Sequence, residues 1–532
     1  MTMSRPSSAL CARLALLGAA WLLVGSCVRV RNPVLRSPSA PLDTVRTDAT
    51  LKIHYRSGAL DVLRSWDREG DSVILGLARR WDAERRPLES VFVRVRLDTV
   101  ALLETNAPLT VGSFGEGVID AFLVLGTVAT VGCVSDPKSC FGSCPTFYLD
   151  ANPAARPLAE GFSSSIARRL EAHDVDDLQT SRAGGSLVPL LMRNEALESH
   201  AVRYVRLLAV PTPPQGEVFA TPDGTIIGVQ EVQTVSRCRN GLVDCVREVA
   251  ARDAREWHTP TDSADLAAPD TVHVTFTAAP GTPVLLMAAR QAFVSTFVLY
   301  QTMATLGTTA GSWLAKLERG DPDARRPLDE TNRLIGEIAI DVQDADGMWH
   351  PAGRYAEAGP IATDVQAIPL PPIARPRGAA LQLRLRFARG NWRIGYLALG
   401  TLGDTLTPVV LDPRTATLET GATYRGARPP RSDVRDILVD TTRVLFTQPG
   451  DAVQLSYRLP TDASTYRLFI DSRGWYREWM RREWLAEENA ALSAWVMTDP
   501  RAALRLLAPT FKAREAGFEQ RFWNSRFGRG TP

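Results

Sequence analysis

Apolar and polar residues alternate with a period of two in several separate stretches of the chain, the pattern of strands buried on one face. Leu51, Ile53 and Tyr55 interleave with Lys52, His54 and Arg56, and Val93, Val95 and Leu97 with Arg94, Arg96 and Asp98. Ser57-Gly58 and Glu69-Gly70-Asp71 supply turns, so residues 48–106 read as a meander closing into a small β-barrel, SH3-like or Sm-like in size. Val272, Val274 and Phe276 share one face of a later strand. Leu381, Leu383, Leu385 and Phe387 share another, opposite Gln382, Arg384 and Arg386. His54 and His273 fall on the polar faces of their strands, where solvent exposure accounts for them. Strands separated by proline-rich turns over residues 332–472 predict a β-sandwich.

Three stretches break this period. Gly117–Val134 is apolar except for Asp120 and borderline in length for a membrane span, which needs roughly 20 residues; a buried hairpin or core helix is expected, with a span as the alternative. Leu285–Leu317 is apolar on nearly every side, interrupted by Arg290 and Gln291, and predicts a buried helix pair, with a membrane span as the alternative. Gly307 and Gly311 there mark a bend or a close approach of another helix. From Gly474 onward helical spacing puts Trp475 and Trp479 on one face and also pairs Arg477 with Arg481; Asp499 then caps a further helix that Pro500 opens. Glu478, Glu483, Glu487 and Glu488 dilute the positive charge, which favours a docked tail over an interfacial membrane helix.

A chain of 532 residues exceeds the roughly 250 to 300 that one core fills. The expected fold class is mainly β with helical insertions, an α+β multidomain chain with a small N-terminal β-barrel, a C-terminal β-sandwich and a helical tail. The expected divisions are a signal peptide over 1–26, a lipidated cysteine and flexible tether over 27–47, and the barrel over 48–106. A cysteine-containing β-rich domain over 107–283, the helix pair over 284–331, the sandwich over 332–472 and the tail over 473–532 complete them.

The N-terminus carries an address. Arg5 precedes an uncharged run from Leu14 to Val24 that ends in Val24-Gly25-Ser26-Cys27, the order of a secretory signal. This tetrapeptide resembles the lipobox of bacterial lipoproteins, which implies cleavage before Cys27, lipid on its sulfur and removal of Cys11. An ordinary signal cleaved nearby, or an uncleaved anchor, is the alternative. In such lipoproteins an Asp after the cysteine favours the inner membrane. Val28 therefore implies the outer membrane, or the outer face of the plasma membrane where there is only one. The following residues give a tether with a reach of roughly 25 Å.

Candidate chemistry is sparse. Lys and Arg total 61 against 59 Asp and Glu, and a net charge of +2 makes no electrostatic case for nucleic acid. The phosphate loop, HExxH, GxSxG and calcium-loop patterns do not occur. Beyond Cys27, five cysteines are disulfide candidates: Cys133, Cys140, Cys144, Cys238 and Cys245. Cys238 and Cys245 enclose the turn-like Arg239-Asn240-Gly241 and are expected to form a local bridge; the other three leave one bridge and one thiol. The run Cys140-Phe141-Gly142-Ser143-Cys144-Pro145-Thr146 resembles the CxxxCP motif of Sco-type copper chaperones and related thiol-redox proteins. That implies Cu(I) binding or thiol exchange at Cys140 and Cys144, with a distant histidine for which His200 or His258 would have to serve. The family's motif opens a helix in a thioredoxin fold, whereas Thr146 to Leu149 reads as a strand.

In Asn194-Glu195-Ala196-Leu197-Glu198-Ser199-His200 an extended chain puts Glu198 and His200 on one face, where they could ligate a divalent metal, while a helix would instead make Glu195 and Glu198 neighbours. Solvated polar residues at a strand start are the simplest account. No catalytic residue, committed metal or cofactor follows from these patterns. The leading expectation is a lipid-anchored cell-envelope scaffold or binding protein, held to the membrane by its lipid and taking an envelope protein or carbohydrate as ligand. The alternative is envelope thiol-redox or copper handling by Cys140 and Cys144. A third reading, a hydrolase with an unrecognised carboxylate site, would draw its first support from a deep cleft with convergent Asp or Glu.

Overall fold

The computed structural model describes residues 30–31, 34–36, 50–55, 59–70, 72–81, 88–105, 108–109, 145–149, 157–178, 185–195, 198–277, 281–356, 359–372, 379–420, 431–448, 450–478 and 487–519. The lipobox with Cys27, the run Gly117–Val134, and Cys133, Cys140, Cys144, Trp479 and Arg481 lie outside them. The chain is mainly β with helical insertions.

The N-terminal meander forms one antiparallel sheet in the order Val34–Arg36, Val100–Thr105, Leu51–Tyr55, Leu60–Glu69, Val73–Trp81, Val91–Arg96. Leu51, Ile53, Val93 and Val95 point into its core as their alternation requires. Two expectations are corrected here. The closed barrel among the described residues lies elsewhere in the chain. Within the expected tether, Val34–Arg36 joins this sheet and Val30–Arg31 pairs with Pro108–Leu109. His54, expected on a solvated face, is 1% exposed, its ring 5.8 Å from Phe446 of the next unit. His273 is exposed, as expected.

The next unit is a discontinuous β-sandwich. One of its sheets runs Ala159–Glu160, Thr146–Tyr148, Leu187–Arg193, Ala452–Arg458, Thr415–Glu419, Arg431–Asp433; the other runs Ala172–Asp177, Tyr466–Glu478, Glu198–Pro211, Val409–Leu411, with Leu445–Thr447 also on Glu198–Pro211. Side chains of both sheets, among them Phe147, Leu190, Val205, Leu455 and Ile470, fill the space between. Between Pro211 and Val409 the chain leaves to build a second unit. A barrel closes in the order Glu217–Ala220, Ile226–Thr234, Trp392–Thr405, Pro283–Gln291, Asp364–Pro369, sealed by the parallel pairing of Ala220 with Gln366. A six-stranded sheet (Val243–Asp244, Arg237–Asn240, Pro269–Phe276, Leu381–Ala388, Ile338–Gln343, Trp349–Tyr355) packs against it.

This nesting corrects the expected boundaries. The sandwich expected over 332–472 is divided between the two units, and so is the β-rich domain expected over 107–283. Periodicity reports which face of a strand is buried and leaves its partner unspecified. The apolar run from Leu285 begins as a strand, Pro283–Gln291, whose alternate residues fill different cores: Leu285, Met287 and Ala289 face the six-stranded sheet, while Val284, Leu286 and Ala288 fill the barrel. A strand buried on both faces shows no alternation and reads as a buried helix.

Helices follow it: α1 (Val294–Leu306), α2 (Ala310–Glu318) and α3 (Pro322–Ile335). Gly307 adopts φ +46° at the α1–α2 bend, where a Cβ would lie 2.5 Å from Glu488. Gly474–Glu478, expected as helix, instead completes the strand Tyr466–Glu478, and buried Trp475 has the guanidiniums of Arg168 and Arg203 5.8 and 5.7 Å from its ring centroid. The tail is helical as α4 (Ala490–Thr498) and α5 (Pro500–Glu515), with the Asp499 carboxylate accepting from Ala502 N. It docks as expected: Phe511 packs on Phe297, and Glu519 pairs with Arg290 and Arg393. Arg290 thus interrupts an apolar run because it anchors the tail. Among the described residues no helix is long and apolar enough to cross a membrane.

The two nested units meet at an apolar seam of Val175, Leu208, Val210 and Phe469 against Val218, Ala220 and Ile226. Gly224, φ +80°, lets the inserted unit approach His173 and Val175 closely; a Cβ there would sit 3.2 Å from each. Beside this seam burial pushes the Asp364 carboxyl up to about 7, and the charge of Asp174 adds to the rise. The folded state therefore holds this proton more tightly than the unfolded chain, where an Asp titrates near ~3.9. Its stabilising contribution is complete below that value and disappears as pH rises through 7. Asp364→Asn is expected to gain stability over the parent by more than about 1 kcal/mol at pH 8 and to flatten the fall between pH 4 and 8; urea denaturation across that range reads both, and an unchanged slope would count against the assignment.

Cys238 and Cys245 form the expected disulfide, buried against the six-stranded sheet and closing a hairpin in which Cys245 N donates to Cys238 O at 3.0 Å. Replacing both by Ser is expected to lower unfolding stability by about 2 to 3 kcal/mol, as the chain-entropy model gives for so short a loop. Denaturation with and without reductant should show the parent falling to the variant's value on reduction.

Candidate functional site

The strand Glu198–Pro211 runs antiparallel to Tyr466–Glu478 so that Glu198 stands opposite Glu478 and His200 opposite Tyr476. Successive side chains alternate across a sheet, so these four share one face. All four are buried, at 0%, 9%, 0% and 5% exposure for Glu198, Glu478, His200 and Tyr476. The extended arrangement is thus the one realised, and the solvated strand start is corrected: a neighbouring strand and the helical layer cover it. His200 Nε2 lies 2.8 Å from Glu198 Oε1. Burial pushes the imidazole down to about 3, against the opposing pull of Glu478 and Asp451. The ring is therefore neutral, its contact with Glu198 runs through Nε2, and its Nδ1 has no partner among the described residues. Glu195, the other residue of this cluster, accepts from the Tyr148 hydroxyl at 2.7 Å instead. No three His, Cys, Asp or Glu among the described residues are grouped as metal ligands. His258 sits in the inserted unit, its Nδ1 3.2 Å from Trp392 O.

Tyr476 and Glu478 also line a cavity of about 550 Å³ between the sandwich and the helical layer. Its walls come from residues 160–171, α1, α3, the segment around Gly359 and the end of the strand Tyr466–Glu478. Buried polar side chains form the floor: Glu160, Gln291, Tyr300, Thr302, Tyr476 and Glu478. Glu160 Oε2 accepts from Ile361 N at 2.9 Å and Ala362 N at 3.3 Å. The Tyr300 hydroxyl donates to Glu478 Oε1 at 2.7 Å, linking the cavity to the Glu198–His200 pair behind it. Ser163 Oγ is buried with no partner among the described residues. At the mouth, Glu171 is held by Arg203 at 2.6 and 2.9 Å and by Arg473 at 2.8 Å, while Arg325 pairs with Asp329. Apolar Ile166, Leu170, Val298 and Leu328 complete the walls.

No family model matches the chain, and no curated protein does. Among solved structures it shows a weak likeness to the single-particle cryo-EM structure of arabinofuranosyltransferase AftD from Mycobacteria, at 9% identity and a TM-score of 0.15 over 85% of this chain. The chain spans 34% of that one, and a likeness this slight carries no argument.

Sequence reasoning singled out Glu198 and His200 for chemistry and noticed Glu478 only as a surface charge. It missed Glu160, Ser163, Gln291 and Tyr300, which arrive from separate segments with no shared spacing. One signal was present: Gln291 is a polar residue inside an apolar run. The neutral state of His200 has a direct readout. Its ring carbon NMR shifts should stay constant from pH 5 to 8, whereas His173, hydrogen-bonded to Asp471 at 2.8 Å, should titrate above the ordinary histidine value.

Proposed function

We propose that this protein is a lipid-anchored binding protein of the cell envelope and that the cavity between the sandwich and the helical layer is its ligand site. The cavity carries the reading. Its volume falls within the roughly 300 to 1,000 Å³ typical of small-molecule sites, and it joins apolar walls to a few convergent polar groups. Its neighbours hold it in shape: the long pairing of Glu198–Pro211 with Tyr466–Glu478 on one side and the docked α1–α3 layer on the other.

Two features support the envelope. The lipobox-like run ending in Cys27 supplies an anchor, and the buried Cys238–Cys245 bridge suits an oxidising compartment. The copper or thiol-redox alternative rests on Cys140 and Cys144, outside the described residues, and no observed geometry favours it. Cys27→Ser is expected to move the protein from the membrane fraction to the soluble fraction while its thermal midpoint stays the same. Retention of the variant in washed membranes would overturn the anchor.

A further inference from the structure

The N-terminal sheet ends on the strand Val91–Arg96, which pairs with Val73–Trp81 on one side and with no described strand on the other. Most other sheet edges among the described residues are two or three residues long, and Trp349–Tyr355 carries Pro351. The ladder fixes which main-chain groups of this edge face outward. Leu97 N donates to Ser72 O at 2.9 Å in the same register, so Val95, Val93 and Val91 bond to the neighbouring strand, and the N–H and C=O of Phe92 and Arg94 point to the open edge. Side chains alternate as well. Val93 and Val95 enter the core, whereas Phe92 stands on the other face opposite Leu77, the two 67% and 63% exposed. An apolar cross-strand pair in water beside an open edge is a template for another strand. The guarding charge is Arg94, held by Glu69 through two bonds of 2.9 Å, and it accepts only a partner strand that sets no cation opposite it.

We propose that this edge takes a second copy of the chain, with Val91–Arg96 pairing antiparallel to itself about a two-fold axis at Val93. Phe92 of each copy then faces Arg94 of the other, Val91 faces Val95, Val93 faces Val93, and Arg96 faces Ser90. Opposite residues of an antiparallel pair share a face, so aliphatic side chains meet on the core side and a ring meets a guanidinium on the outer side. The rungs joining Phe92 to Arg94 are those whose main-chain groups already point outward, and each forms two hydrogen bonds. Neighbouring registers fit less well. An axis at Arg94 would set Arg94 against Arg94, and an axis at Phe92 would set Val95 against Glu89. The two-fold pairing also closes on itself, leaving this edge unavailable to a third copy.

The test is analytical ultracentrifugation of the detergent-extracted full-length protein in a density-matched detergent, with hydrogen exchange of residues 90–96 measured across the same concentrations. The parent is expected to dimerise reversibly, and peptides covering 90–96 should exchange more slowly as the dimer forms. Two substitutions at exposed Phe92 read the register. Phe92→Arg, which sets an arginine against Arg94 of the other copy, should weaken the dimer at least about tenfold. Phe92→Glu, which sets a carboxylate there, should dimerise at least about tenfold more tightly than Phe92→Arg. Equal loss in both variants would mean an apolar contact without strand pairing and would overturn the proposal. So would a dimer in which 90–96 exchange unchanged, or a parent that stays monomeric up to about 100 μM, including one that uses Phe92 to bind lipid vesicles instead.

Discussion

One pairing holds the molecule together. The strands Glu198–Pro211 and Tyr466–Glu478 lie more than 250 residues apart in sequence at every rung, yet they share a continuous register interrupted only by the bulge between Val202 and Tyr204. Everything between them is either the inserted unit or the return of the sandwich around it. The apolar seam of the two units uses both strands, through Leu208, Val210 and Phe469. Their far end carries Glu198, His200, Tyr476 and Glu478. The pairing that closes the fold therefore also assembles the polar wall of the cavity.

That wall changes character along its length. Toward the sandwich centre Val205, Leu207 and Ile470 make an ordinary apolar core. At the end the same face turns ionic, and the Tyr300 hydroxyl from α1 meets it at Glu478. Burying polar groups is unfavourable unless they find partners. The partners here come from three layers: a histidine two residues along the strand, a tyrosine from the helices, and main-chain donors such as Ile361 N on Glu160. The helical layer is fixed in turn by the tail, since Arg290 at the base of α1 reaches both Glu256 and Glu519.

Much of this was legible in the sequence at the level of single strands. Leu51 with Ile53, Val272 with Val274, and Leu381 with Leu383 and Leu385 point inward as their spacing requires, and Asp499-Pro500 starts a helix. The local disulfide between Cys238 and Cys245 was also readable, because its loop is short. Three kinds of information were not. Pairing partners are non-local, so the nesting of one unit inside another left no trace in the period. Pro283–Gln291 is buried on both faces and lost its alternation. Gly474 to Glu478 satisfies helical and strand spacing alike, and only the opposing Ala201 and Val202 decide between them. The site was hidden for the first of these reasons: Glu198 and His200 are neighbours in the chain, while Glu160, Tyr300 and Glu478 are neighbours only in space.

The nesting also sets an order of events for a chain made from its N-terminus. The inserted unit is complete once Thr405 has emerged, with its barrel and six-stranded sheet both supplied from within. The surrounding sandwich cannot close until Glu478 is available, so Leu187–Arg193 and Glu198–Pro211 wait with their principal partners unmade. Waiting strands with open edges are where chains associate wrongly. The early-finished insert brings the ends of its host together, because Leu207 to Ala209 pair with Val409 to Leu411 as soon as the latter appear. A loop of about two hundred residues becomes in effect a short one, and most of the entropic cost of closing the sandwich has been met before its last strand arrives.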